Sequence, residues 1–149
     1  MTDPDAVKRV AARVKELAAD YAPPAFAEVP NPDAALFLSA IDHQTGYTEP
    51  HEVDGEGPYE GSALLWALGL RAERRAPGAL TARSLLGVDP QAIAAVFRAG
   101  QDTLHDPERR ARLWDDLAKG LLKDYGGQAE ALIEAAGGKL GGPTGVLFR

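Results

Sequence analysis

Four times in this chain a short Asp or Asn side chain stands directly before a proline: Asp3-Pro4, Asn31-Pro32, Asp89-Pro90 and Asp106-Pro107. Each pair is a helix start signal. The side chain accepts from backbone N–H groups that have no partner in the first turn, and proline fits the first helical position, where no N–H is needed. The residues after each pair have helical spacing. After Asp3, Val7, Val10, Val14, Leu17 and Tyr21 fall on one face; after Asn31 come Leu36, Phe37, Ala40 and Ile41. After Asp89, Ile93, Val96 and Phe97 lead to a stop at Gly100. After Asp106, Leu113, Trp114, Leu117, Leu121 and Tyr125 end at Gly126-Gly127, a pair suited to a left-handed cap.

Two further helices are expected. Ser62 reads as the cap of Ala63 to Leu70, which is apolar on all sides and therefore central to a core. Its basic tail, Arg71 to Arg75, is ended by Pro77-Gly78. Gln128 to Ala136 repeats the pattern more weakly, with Leu132 and Ile133 inward. No useful length alternates with period two, and 27 alanines favour helix. The expectation is an all-α single domain, residues 1–149, of six to eight helices. A chain of 149 residues buries about 70% of its unfolded surface, enough for one core. The longest break runs from Gln44 to Pro58, and loops of that length in small domains are more often functional or mobile than filler.

Function classes narrow by elimination. The apolar run Ala63 to Leu70 is too short to span a bilayer, and Met1-Thr-Asp-Pro-Asp5 lacks the basic and apolar parts of a signal peptide. With no cysteine there is no disulfide frame, thiol nucleophile or cysteine zinc site. A cytoplasmic address follows, and no cofactor is expected. Charge narrows the ligand. Between Lys15 and Arg71 there is no Lys or Arg, but there are ten carboxylates: Glu16, Asp20, Glu28, Asp33, Asp42, Glu49, Glu52, Asp54, Glu56 and Glu60. Elsewhere all sixteen basic residues face twelve acids. That imbalance argues against a polyanionic ligand, since nucleic-acid affinity comes mainly from basic groups displacing counterions.

Within the acidic block, residues 40–61 hold two of the three histidines and two of the four tyrosines. Asp42, His43, His51 and Asp54 invite a metal reading, but they match no ligand spacing, and capping or solvent exposure accounts for them more simply. Gly55 to Ser62 has the glycines of a phosphate loop without its Lys or preceding strand, and Glu56 and Glu60 would repel an anion. The free N–H groups from Ser62 onward suit a single oxyanion. Arg71 comes directly after the apolar stretch and is placed to pair with a buried carboxylate or hold a phosphate.

In their order, several stretches resemble the queuosine salvage family, all-α hydrolases related to helix-hairpin-helix DNA glycosylases. The likeness begins at Phe37-Leu-Ser-Ala-Ile-Asp42. It is closest at Tyr59-Glu-Gly61 followed by Arg71-Ala72, similar to the family's Tyr-x-Gly and downstream Arg-Ala. It continues through Val96-Phe-Arg98, Pro107-Glu-Arg109 and Gly120 to Gly127. The resemblance implies a DNA-glycosylase-like helical bundle that recognises queuosine 5′-phosphate and cleaves its N-glycosidic bond. It further implies that Asp42 recognises the base, Tyr59 borders it, and Arg71 serves the phosphate or an internal ion pair. The candidate binding residues are thus Asp42, His43, Tyr47, Tyr59, Ser62 and Arg71.

Two departures qualify what the resemblance implies. His43-Gln-Thr-Gly-Tyr47 replaces the family's aromatic pair. The family's catalytic Asp and Lys-Arg-rich motif lie downstream of the part resembling Leu140 to Phe148, so no catalytic residue is assigned. An incomplete C-terminal helix at 143–149 is expected, frayed or packed against a second copy. Recognition of a nucleoside or nucleotide is therefore expected more firmly than hydrolysis. The alternatives are a non-catalytic helical domain whose acidic face docks a basic partner, and a diverged DNA glycosylase relative that flips a base.

Overall fold

Three of the four Asp/Asn-Pro pairs cap helices as their chemistry requires. Asn31 Oδ1 accepts from the N–H of Ala34 at 2.7 Å, Asp89 from Gln91 at 2.8 Å, and Asp106 from Arg109 at 3.0 Å. A computed structural model describes Asp5, Lys8, Arg9, Val10, Ala12, Arg13 and residues 31–137. Asp3-Pro4, Val7, Val14, Leu17, Tyr21 and the C-terminal helix expected at 143–149 lie outside the described residues. The element order is α1 (Pro32–Ile41), β1 (His51–Val53), β2 (Glu56–Tyr59), α2 (Gly61–Arg75), α3 (Ala82–Leu85), α4 (Pro90–Val96), α5 (Pro107–Asp124) and α6 (Ala129–Ala135). The described residues near the N-terminus are also helical, and the fold is all-α, with one two-stranded hairpin among the described residues.

The core forms where α1, α2, α4 and α5 meet. Phe37, Leu38 and Ile41 of α1 are buried against Leu64, Leu65 and Leu68 of α2 and against Trp114, Ala118 and Leu121 of α5. Trp114 is the keystone of this contact. Its ring lies edge-on to Phe37 at 6.2 Å and tilted against Phe97 at 5.9 Å, and its Nε1–H donates to the Phe37 carbonyl at 2.7 Å. A buried indole keeps its apolar contacts only if its N–H finds an acceptor, and here that acceptor is the main chain of α1. Asp33, in the first turn of α1, accepts from the N–H of Ala129 at 2.7 Å and so caps the start of α6 as well.

The structure departs from the sequence expectation at five places. The segment from Gln44 to Pro58 is not a simple loop, because β1 and β2 pair antiparallel around Asp54-Gly55, with His51 opposite Tyr59 and Val53 opposite Glu56. Asp54 and Gly55 both have positive φ (54° and 81°), the turn geometry that matches strand twist in a two-residue hairpin. α2 begins at Gly61 with Glu60 as its uncapped N-terminal flank, so Ser62 is not the cap. α2 is not buried on all sides either: Ala63, Trp66, Ala67 and Leu70 are only half-buried. Ile133 points outward with 51% exposure, while Leu132 packs on the core. Val10, placed on an inward face by its spacing, is 63% exposed.

Glu73 is the one buried carboxylate among the described residues. Only 4% exposed, it accepts from Gly78 N–H at 2.7 Å, Leu80 N–H at 2.8 Å and Asn31 Nδ2 at 3.2 Å. It thereby joins the end of α2, the turn behind it and the cap of α1. Glu73→Ala would leave two backbone donors and an amide without a partner. Since an orphaned buried group costs about 1–3 kcal/mol, the expected destabilisation is roughly 2–4 kcal/mol in urea unfolding, with the midpoint shifted and the slope unchanged.

Candidate functional site

The segment joining α1 to the hairpin starts at Asp42, the residue that closes α1. Its carboxylate reaches across to α2. Oδ1 accepts from Ser62 Oγ at 2.6 Å and Oδ2 from Trp66 Nε1 at 2.9 Å. Ser62 and Trp66 are four residues apart and so project from the same side of α2. The stretch of chain from Asp42 to Ser62, twenty residues apart in sequence, thus closes into a ring at one half-buried carboxylate, held by neutral donors alone.

Beyond Asp42 the chain is fastened along its length to the stretch between α4 and α5. Arg110 of α5 is 1% exposed, and its guanidinium donates to the carbonyls of His43, Gln44 and His105. Burial pulls that guanidinium below its ordinary value, opposed by the nearby Asp106. His105 N–H donates to the Thr45 carbonyl at 2.9 Å. The Tyr47 hydroxyl donates to the Phe97 carbonyl at 2.8 Å, and burial raises that hydroxyl well above the ordinary phenol value. Gly46, at φ 82°, passes so close that an added Cβ would stand 2.8 Å from the Cβ of His105.

Asp102 forms the last fastening. Its carboxylate accepts from Thr48 N–H at 3.0 Å, Thr48 Oγ at 2.9 Å and Glu49 N–H at 3.3 Å, and it contacts His51 Nε2 at 3.3 Å. These bonds, Thr48's backbone N–H and hydroxyl foremost, pull the Asp102 carboxyl down to about 2 from an ordinary 3.8. At the far end of the hairpin, Asp54 pairs with Arg75 at 2.9 Å and Arg74 at 3.7 Å.

The six candidate residues therefore separate. Asp42 and Ser62 meet. His43 comes next to Asp42, with its carbonyl held by Arg110 and its imidazole without a hydrogen bond among the described residues. Tyr47 turns its hydroxyl to Phe97. Tyr59 is half-buried against the core, its hydroxyl donating to Glu56 at 3.3 Å, and burial followed by Glu56 raises its phenol. Arg71 makes no ion pair among the described residues. It lies nine residues after Ser62, which places it on the opposite face of α2 and about 13 Å further along the axis. The reach from α2 back to the acidic segment is made instead by Arg74 and Arg75. Among the described residues no group of three His, Asp or Glu side chains converges to hold a metal, and no helix is long and apolar enough to cross a membrane.

Sequence reasoning missed Trp66, Asp102 and Arg110. Trp66 had a signal: a tryptophan one turn after a serine on a half-buried face needs a partner for its N–H. Arg110 also had one, since it stands four residues before Trp114 and so shares its inward face. Asp102 carried none, because its partners lie about fifty residues away. Compared with known protein families and with curated proteins, the chain matches none.

Two outcomes test the fastened segment. Asp102 has its folded-state value below its unfolded one, so its contribution is present above pH 3.8 and is lost as pH falls toward 2. The stability gap between wild type and Asp102→Asn should be constant near neutral pH and close in that window, as read by urea unfolding at each pH. Gly46→Ala combines positive φ with a Cβ clash and should cost about 1–3 kcal/mol, with faster amide exchange in residues 44–49.

Proposed function

We propose that this domain recognises a modified nucleoside or nucleoside 5′-phosphate in the manner of the queuosine salvage family, in the cytoplasm. The observation that carries this is the junction at Asp42. The stretch ending at Asp42, where the resemblance to that family begins, and the stretch from Tyr59 to Arg71, where it is closest, meet at one carboxylate through Ser62 and Trp66. A base with N–H donors or a protonated amine suits this acceptor, and no Lys or Arg between residues 15 and 71 competes for it.

Cleavage of an N-glycosidic bond passes through a cation-like sugar, which calls for a carboxylate at the anomeric carbon and an activated water. Asp42 is the carboxylate already committed to recognition, and Asp54 is engaged by Arg74 and Arg75. The proposal accordingly centres on binding, with Asp42 and Ser62 against the base, His43 and Tyr59 at its border, and release of the base as a second step to be tested. Arg71 points to the far side of α2, so phosphate contact by Arg71 would require a ligand that wraps the helix. Pairing with a second copy through the C-terminal segment belongs to the same proposal.

Titration with queuosine 5′-phosphate, followed by mass spectrometry for free queuine, tests both steps. Saturable binding is expected, and Asp42→Ala should weaken it roughly ten- to a hundredfold, the loss of a charge-assisted contact. If neither binding nor release is seen, the family's function does not transfer to this chain. One observation favours a second reading: Glu49, Glu52, Glu56 and Glu60 are all exposed on and around the hairpin. An acidic face docking a basic protein would give an association that weakens steeply with salt and ignores the nucleotide.

A further inference from the structure

A carboxylate offers about four acceptor positions on its two oxygens. Ser62 takes one on Oδ1 and Trp66 one on Oδ2. Each oxygen of Asp42 therefore keeps one acceptor position, and no ion pair among the described residues draws on either. The two donors differ in stiffness. Ser62 is exposed, and a serine hydroxyl can rotate about its Cβ–Oγ bond to suit its acceptor. Trp66 is half-buried, and its ring packs against the core, so its N–H is a donor fixed in direction.

We infer that Trp66 is a positioning residue which, with Ser62, holds the Asp42 carboxylate as a two-pronged acceptor, and that the ligand edge received there carries two adjacent N–H donors. The ring N–H and exocyclic amine of a guanine-type base are such an edge. Resting on the proposed recognition of a nucleoside, this names the part of the base that is read. A lone ammonium would engage either oxygen without needing the carboxylate plane fixed. Two parallel donors require it, because both bonds reach good geometry only when the planes agree.

Guanosine 5′-phosphate and inosine 5′-phosphate differ only by the exocyclic amine and are the probes of choice, beside queuosine 5′-phosphate. Wild type is expected to bind the guanosine nucleotide about tenfold more tightly than the inosine one, the worth of one hydrogen bond to a charged group. Trp66→Phe keeps an aromatic ring but removes the donor. Its ratio should fall to within about twofold, while its thermal unfolding stays near wild type. Ser62→Ala, at an exposed position, should narrow the ratio as well and carries the test if Trp66→Phe does not fold. Equal binding of the two probes by wild type overturns the two-donor edge. A ratio unchanged in Trp66→Phe, or in Ser62→Ala where the former does not fold, overturns the positioning role. Discrimination between the probes without any affinity for queuosine 5′-phosphate would remove the queuosine reading and leave the edge standing. Failure to bind all three removes both.

Discussion

Arg110 is a buried cation whose hydrogen bonds all go to main-chain carbonyls, with no direct ion pair among the described residues, and the arrangement around Asp42 depends on how that cation is satisfied. Taking a guanidinium out of water is costly unless its donors are used. Here they are used on main-chain carbonyls of His43, Gln44 and His105, with Nε alone lacking a partner. Because His43 and Gln44 come directly after Asp42, the grip sets where α1 ends and which way the chain leaves it. One turn further along the same face of α5, Trp114 bonds the Phe37 carbonyl in the middle of α1. A single helix face therefore holds both α1 and the segment that leaves it. Replacing Arg110 with any shorter side chain would orphan three carbonyls at once.

That grip changes the character of the segment between Asp42 and the hairpin. Length and composition suggested mobility. Contacts with Arg110, His105, Phe97 and Asp102 instead fasten it at nearly every residue from His43 to His51. The Asp42 carboxylate is then presented by a backbone fixed on one side by α5 and by side-chain donors fixed on the other by α2. A ligand meeting such a site need not pay to order the loop, which is where preorganisation contributes most to affinity.

The legible parts of the fold were those decided within one turn of chain. Asn31, Asp89 and Asp106 cap because the groups they satisfy are two or three residues away, and the one tertiary bond among them, Asn31 to Glu73, uses the amide Nδ2 and leaves the capping oxygen to its helix. Ser62 shows the opposite case. Its composition fits a cap, but a carboxylate twenty residues earlier takes its hydroxyl, and α2 starts without a side-chain cap. The hairpin escaped because β1 has three residues and β2 four, too few for alternation to register, although Asp54-Gly55 is a strong turn signal. Arg110 sits among Arg109 and Arg112, both exposed, and only its place four residues before Trp114 sets it on the inward face of α5.

The acidic block resolves into two kinds of residue. Its described aspartates all have fixed partners: Asp33 the N–H of Ala129, Asp54 the guanidinium groups of Arg74 and Arg75, Asp42 the donors of Ser62 and Trp66. Its described glutamates, Glu49, Glu52, Glu56 and Glu60, stay at the surface. A short side chain loses less rotamer freedom when it is fixed, so aspartate suits the tethered positions and glutamate the solvated ones. Among the aspartates Asp42 is distinct. Asp33 is matched to the positive start of a helix and Asp54 to two cations, so both charges are compensated within the fold. Asp42 is held only by a hydroxyl and an indole, which direct its charge without cancelling it. The negative charge that remains at that one ordered position is what a ligand's donors would complete.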